Sequence, residues 1–391
     1  MTESDWSAPE TEVLSSAIEL LRGERDGVLA TVIDVEGNAY RRPGAKMVIA
    51  EDGEGVGNIT AGCLEDEILN LSKEVLEDGK PRVEEYDLME GDDDVWGLGI
   101  GCNGVVDILL EPLDETYLPV AEAFEEGRDI GVVTVLSSDG GPERGSRAYY
   151  HPESGFSGTS GFPDWLVDAL QGPASKLTSL GRADTIRIET EEGTAEVFID
   201  GVAAPPELVV FGTGHDVGPV VEFAKKNDFR VTVVSFRGAD ATEDKFPLAD
   251  NIVSTSPPQV REDIDFDEET YVVVMTHNFV DDRLAVDELV RTPVPYIGLM
   301  GPRERFEDMM DDFADEGRMF DDEELSKIYT PCGLDLGGGA PYQIAHSIVA
   351  EALVVHNDRE PRHLRDREGP IHERVETESE SKEGTAVSTT D

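Results

Sequence analysis

The sequence predicts an α/β protein of two domains, the second a doubly wound parallel sheet. Three observations predict it. Between residues 208 and 356, short apolar runs alternate with stretches whose apolar residues recur every three or four positions, the pattern of buried parallel strands between amphipathic helices. The first of those runs enters a helix through Gly212-Thr213-Gly214, a glycine turn typical of strand-to-helix junctions in such sheets. The chain also has 391 residues, more than a single core usually holds.

The first domain is expected over residues 1–200 as an α+β unit. Val13, Ala17, Ile18 and Leu21 form an apolar stripe, predicting a helix over 9–22. Strands follow at 28–35 and 46–50, joined by a loop rich in turn formers and arginine, 36–44. A helix at 64–77 opens with Glu65, Asp66 and Glu67, acids that suit a helix N-terminus. Strands at 82–88 and 105–111, a helix near 116–126 and a strand at 130–137 come next. Residues 138–163 are rich in Gly, Ser and Pro and read as an irregular insert. A helix at 163–171 and strands at 184–190 and 195–200 close the domain. Residues 201–206 end in Pro205-Pro206 and form the expected linker.

The second domain spans 207–357. Its strands are expected at 208–211, 230–235, 251–254, 271–276 and 294–299, its helices at 216–227, 280–291, 303–315 and 341–356. Residues 358–391 are polar and mixed in charge, and are expected to be a disordered tail.

There are 85 acidic against 32 basic residues, a formal net charge of −53, which repels nucleic acid and anionic lipid. The acids recur along the whole chain and lysine is scarce. A surface of that kind suits a cytosol of high salt, where the Debye length falls to about 3 Å at molar concentration; an acidic face for a basic partner is the rival reading. No basic start with an apolar segment stands at the N-terminus, and no apolar run reaches the ~18 residues of a membrane helix. A cytoplasmic protein is expected. Three cysteines, Cys63, Cys102 and Cys332, without Cys-x-x-Cys spacing, argue against a disulfide framework or a structural zinc site.

Gly212-Thr213-Gly214-His215-Asp216-Val217-Gly218 is a variant of the glycine fingerprint of a Rossmann-type domain, which brings backbone close to a pyrophosphate. A tight packing turn is the alternative. Ser235 stands where an acid normally holds a ribose, and Arg237 follows, so an anionic group such as a 2′-phosphate fits better than ordinary NAD. His277, after the strand 271–276, and His215 lie on the ligand-binding edge, to orient or protonate a ligand or to satisfy loop carbonyls. Gly337 and Gly338 belong to a second glycine loop, either an anion site or a rigid helix entry. Cys63, before a helix, and Cys102, in a glycine loop, are either thiolate ligands for a soft metal or small packed residues; Cys332 reads as packed. Arg41, Arg42 and Lys46 make a basic cluster, either an anion site or internal ion-pair partners.

In these same residues the chain resembles the XdhC/CoxI family. Glu36-Gly37-Asn38-Ala39-Tyr40-Arg41-Arg42-Pro43-Gly44-Ala45-Lys46, Ala61-Gly62-Cys63-Leu64-Glu65, Gly101-Cys102-Asn103-Gly104 and Leu110-Glu111-Pro112-Leu113 are similar to its first-domain motifs. Gly212-Thr213-Gly214-His215, Met275-Thr276-His277, Tyr296 to Gly301 with Arg303, and Gly333-Leu334-Asp335-Leu336-Gly337 are similar to its second-domain motifs. Ser235 departs from the family's usual Asp. The resemblance implies a chaperone that binds molybdenum cofactor, supports its sulfuration with a cysteine desulfurase, and inserts it into a molybdenum hydroxylase apoenzyme such as xanthine or carbon monoxide dehydrogenase. It also implies a homodimer. With that cargo, Cys63 at its helix start and Cys102 in its glycine loop are expected as ligands near molybdenum, and the glycine turn leaves a nucleotide as a further expected ligand of the Rossmann domain. An NADP-dependent oxidoreductase and a regulatory nucleotide-binding protein are the alternatives.

Overall fold

The computed structural model describes residues 5–60, 62–88, 103–139, 141–238 and 241–368. The chain divides into two units, the first ending at Ala204 and the second beginning at Pro205.

The first unit begins with α1 (Glu10–Arg22), β1 (Gly27–Asn38), β2 (Lys46–Ala50), β3 (Gly55–Gly57), α2 (Glu65–Asp78), β4 (Arg82–Asp87) and β5 (Asn103–Pro112). It continues with α3 (Leu118–Glu125), β6 (Ile130–Ser138), β7 (Arg147–His151), β8 (Gly155–Ser157), α4 (Asp164–Ser179), β9 (Ala183–Glu189) and β10 (Thr194–Val202). Two antiparallel sheets result, ordered β3-β2-β1-β5-β4 and β8-β7-β6-β10-β9. The second has the element order and pairing of the first, so the unit is a structural repeat.

The repeat extends to single residues. Thr31 pairs with Lys46 on β2, and Thr134 pairs with Arg147 on β7. Leu29 pairs with Glu111, and Val132 with Asp200. Gly44 donates its N–H to Val32 and Gly145 to Val135, both at 2.8 Å; both glycines have positive φ, 95° and 86°, which favours glycine on steric grounds. Each sheet buries one face under its own helix: Val28, Ala30 and Val32 pack with Ile68 of α2, and Val197 and Ile199 with Leu166 and Leu170 of α4. The opposite faces meet each other through Ile33, Leu109, Leu136 and Phe198. Strands covered on both sides are therefore continuously buried, as the whole of β2 is.

Two expectations are corrected here. Residues 138–163 are not irregular throughout, because they carry β7 and β8, the counterparts of β2 and β3. Gly201 and Val202, placed in a linker, close β10 by pairing with Gly131 and Ile130.

The second unit holds β11 (Glu207–Phe211), α5 (Val217–Lys225), β12 (Arg230–Ser235), β13 (Asn251–Ser254), α6 (Val260–Asp263), β14 (Thr270–Val274), α7 (Phe279–Leu289), β15 (Tyr296–Leu299), α8 (Arg303–Asp315), α9 (Asp322–Ser326), β16 (Ile328–Tyr329) and α10 (Pro341–His356). Its sheet is parallel throughout, ordered β13-β12-β11-β14-β15-β16. Val220, Ala224, Ile348 and Ala352 cover one face and Val286, Leu289, Met309 and Phe313 the other. This is the doubly wound Rossmann arrangement. The chain reverses its direction of progress between β11 and β14, and such a switch point opens a crevice at the carboxyl ends of the strands. None of the described helices is long and apolar enough to cross a membrane.

Candidate functional site

In the first unit the loop before α2 is folded around one carboxylate. Glu65 Oε1 accepts N–H bonds from Ile59 (3.3 Å) and Thr60 (2.9 Å). Its Oε2 accepts the Thr60 hydroxyl (2.8 Å) and the N–H groups of Gly62 (2.8 Å) and Leu64 (3.2 Å). Burial acts to raise the carboxyl pKa, but the N–H and hydroxyl of Thr60, with the N–H groups of Glu65 and Gly62, outweigh it and hold the pKa below the ordinary value. Cys63 rides on this loop, partly buried against the core cluster under α2. The sequence placed Glu65 at the helix start for the macrodipole; its larger task is to shape the cysteine loop. Cys102 lies outside the described residues.

The basic cluster of the sequence is dispersed by the fold. Lys46 is buried between the two sheets, its ammonium 2.8 Å from Asp200 and 2.8 Å from the Gly44 carbonyl. Burial acts to lower its pKa, and the adjacent Asp200 overrides this and raises it. As the first residue of a doubly covered strand, Lys46 points into the inter-sheet layer and is an internal ion-pair partner, not part of an anion loop. Arg147 pairs with Glu111 at 2.6 Å in the same layer, so the repeated positions exchange ion pairs across the interface between the two halves. Tyr117 lies among them under the Arg147 guanidinium, 5.5 Å from ring centre, and burial above all pushes its hydroxyl up to about 12. Arg41 is paired with Glu10 of α1. Arg42 stays exposed; partial burial and then the charge of Arg182 hold its guanidinium below the ordinary range. Arg182, from the second half of the unit, was not singled out by the sequence, because only the repeat brings it near.

In the second unit Gly212 has φ 151° and a side chain there would come within 2.6 Å of the Met275 carbonyl, so the turn needs glycine to pass β14. His277 Nε2 lies 2.8 Å from Asp216 Oδ2, joining the ends of β11 and β14 across the switch point. His277 is held at φ 59° with 58 % of its side chain exposed. His215 is exposed in the same turn, and Lys245 Nζ lies 2.5 Å from the Thr213 carbonyl. Arg237 Nη2 is 2.8 Å from Asp281. The glycine loop at 337–339 is shaped by Gln343, whose Oε1 accepts the N–H groups of Gly339 and Ala340 at 3.2 Å each. A side chain at Gly338 would strike the Gln343 Cβ at 2.6 Å. The amides of Gly339 and Ala340 are thereby used in a capped helix entry. Cys332 is packed beside Tyr296 and Glu351, and burial and then the Glu351 charge push its thiol up to about 12. Among the described residues no group of three or more His, Cys, Asp or Glu is placed to hold a metal ion.

Fold and site residues together define a two-unit α/β protein, a duplicated α/β module followed by a Rossmann domain. The model of the XdhC Rossmann domain matches residues 208–352 and that of the XdhC and CoxI family matches residues 20–87. The chain belongs to the XdhC/CoxI family. It is 28% identical over 338 residues to a probable xanthine dehydrogenase subunit of Bacillus subtilis, covering 85% of this chain and 94% of that one. It is 27% identical over 141 residues to the molybdenum cofactor insertion chaperone PaoD of Escherichia coli, covering 33% of this chain and 43% of that one. A crystal structure of a xanthine dehydrogenase from Bacillus halodurans has the same fold, with TM-score 0.70, 29% identity, and coverage of 90% of this chain and 96% of that one.

Proposed function

We propose that this protein is a maturation factor that binds molybdenum cofactor as cargo, supports its sulfuration and inserts it into a molybdenum hydroxylase of the xanthine or carbon monoxide dehydrogenase type. The observation that carries this reading is family membership joined to likeness to a molybdenum cofactor insertion chaperone. The Cys63 loop supports it: Glu65 fixes the backbone, so a soft sulfur ligand is presented on a preformed turn. Cys63 and Cys102 are the residues assigned to the molybdenum end. The Rossmann crevice with Gly212, Gly214, His215 and His277 is assigned to a phosphate-bearing part of the cargo or to a nucleotide. A cysteine desulfurase, the apoenzyme and a second copy of the chain are the partners in this reading.

An NADP-dependent oxidoreductase would need Arg237 on a 2′-phosphate. Its guanidinium instead lies against Asp281, which disfavours that alternative. The deciding experiment purifies the full chain from a host making molybdenum cofactor and measures bound molybdenum and pterin per chain. Both are expected near stoichiometry; their absence alongside tight NADP binding would reverse the assignment.

A further inference from the structure

Of the three basic residues in the turn between β1 and β2, the fold neutralises two and leaves the third. Lys46 is paired with Asp200 and Arg41 with Glu10. Among the described residues Arg42 has no carboxylate partner, and the charge that acts on it is another cation, Arg182. The structural repeat brings the two arginines together, because Arg42 belongs to the first half of the unit and Arg182 to the second, between α4 and β9. A side chain at Gly44 would come within 3.0 Å of the Ala183 Cβ, so the turn lies against the start of β9. Asp200, also beside Gly44, is engaged by Lys46. Both arginines stand on fixed backbone. The Arg42 carbonyl accepts the Ala45 N–H at 3.2 Å, and Gly44 donates to Val32 at 2.8 Å. Arg182 donates its N–H to Leu177 at 3.0 Å and its carbonyl accepts that of Gly201 at 2.9 Å. In a chain of 85 acidic and 32 basic residues, an acidic neighbour for Arg42 would be the ordinary outcome. Juxtaposed cations repel. An oxoanion between them turns that repulsion into two attractions, and the planar guanidinium fork matches its oxygens.

We infer that Arg42 and Arg182 form an oxoanion site between the two halves of the first unit, with a phosphate group as its ligand and each guanidinium donating to phosphate oxygens. Arg42 is exposed and Arg182 half-buried, so the ligand reaches the pair from solvent. Phosphate suits the pair better than carboxylate does, because a phosphate group carries up to two negative charges near neutral pH and balances both guanidinium groups, whereas a carboxylate balances one. Free inorganic phosphate and a phosphate-bearing part of the cargo offer the same chemistry. The inference uses neither the Rossmann domain nor Cys63, and its main test needs no molybdenum.

The probe is inorganic phosphate, titrated calorimetrically into the full chain at one fixed KCl concentration. The parent is expected to bind it, and Arg42→Gln and Arg182→Gln are each expected to weaken binding about tenfold or more, the loss of one charge-assisted contact. Melting temperatures give a second reading. Phosphate should raise that of the parent and raise those of the variants much less. Without phosphate, Arg42→Gln should melt no lower than the parent, because it relieves the repulsion from Arg182. A merely structural arginine gives the reverse, a lower melting temperature without phosphate and parent-like phosphate affinity, and that result overturns the proposal. Failure of the parent to bind phosphate overturns it equally. Should Arg182→Gln fail to fold, Arg182→Lys replaces it, keeping the charge without the fork, with an expected weakening of about threefold or more. A second arm separates the two sources of phosphate. In chains purified from a host making molybdenum cofactor, Arg42→Gln lowers bound pterin where the site takes the phosphate of the cargo, and leaves it at the parent level where the site takes free phosphate.

Discussion

Glu65→Gln is the sharpest perturbation of the cysteine loop, because it keeps the shape and removes acceptors. The carboxylate receives four N–H bonds and one hydroxyl, and it is 5% exposed. A glutamine offers an oxygen to only one side. Its NH2 then faces either Gly62 and Leu64 or, flipped, Ile59 and Thr60, donor against donor. With the oxygen towards Ile59 and Thr60, Leu64 keeps the Thr60 hydroxyl oxygen as an acceptor at 3.0 Å and Gly62 loses its own; one N–H without an acceptor, with the remaining bonds deprived of charge assistance, is expected to cost about 1–3 kcal/mol. Urea unfolding in molar KCl measures it. Site-resolved alkylation of Cys63 gives the local readout and should accelerate as the loop loosens. The pH dependence has a definite sign. The folded carboxyl titrates below its ordinary value, so its contribution is complete above the unfolded value of about 4.3 and is lost as pH falls through the folded one. The gap between parent and variant should therefore be full at neutral pH and close in acid. A variant within about 1 kcal/mol of the parent, with unchanged Cys63 labelling, would refute the claim that Glu65 shapes the loop.

Lys46→Met should cost about 3–5 kcal/mol in urea unfolding by stranding Asp200, whereas Lys46→Met with Asp200→Leu should recover most of it. Because the folded Lys46 pKa is raised, this contribution is complete below the unfolded lysine value of about 10.4 and disappears as pH rises through the folded one. Cys63→Ala or Cys102→Ala should lower molybdenum and pterin per chain with an unchanged melting temperature. Cys332→Ala should leave cargo unchanged and cost about 1 kcal/mol of packing; full cargo in both first-domain variants would remove the cysteines as ligands. Melting temperature should rise from low salt to molar KCl. Like-charge crowding is already visible at Asp107, pushed up to about 6 by burial and then by Asp34, Glu85, Glu196 and Glu36, and a flat salt response would end the salt-adaptation reading.

Much of the second unit was legible residue by residue. Helices 303–315 and 341–356 and strands 230–235 and 251–254 coincide with the observed elements; the inner strand 230–235 is buried almost throughout and reads as an apolar run, whereas 251–254 is a half-exposed edge strand with only Ile252 and Val253 to mark it. Helix 64–77 is displaced by one residue, since a leading run of acids marks a helix start only approximately. The hairpin β7–β8 was missed because Gly, Ser and Pro dominate its flanks. With it went the recognition that the first unit is a repeat, whose halves share few residue identities and keep only spacing, glycine turns and charge positions.

The sequence by itself determined the fold class, the two-part organisation, the family motifs and the acidic character, all of which rest on local pattern and composition. It named His277 but not Asp216 as its partner, which only tertiary structure supplies by closing the switch point. It named Cys63 and placed Glu65 beside it, and the local turn that winds the loop around that carboxylate was decided by the fold of residues 59–65. Lys46 shows the physical reason most plainly. On the chain it is adjacent to two arginines and reads as part of a positive loop, but the side-chain period of two along β2 turns it into the layer between two sheets. There, Asp200, 154 positions away in sequence, is its partner.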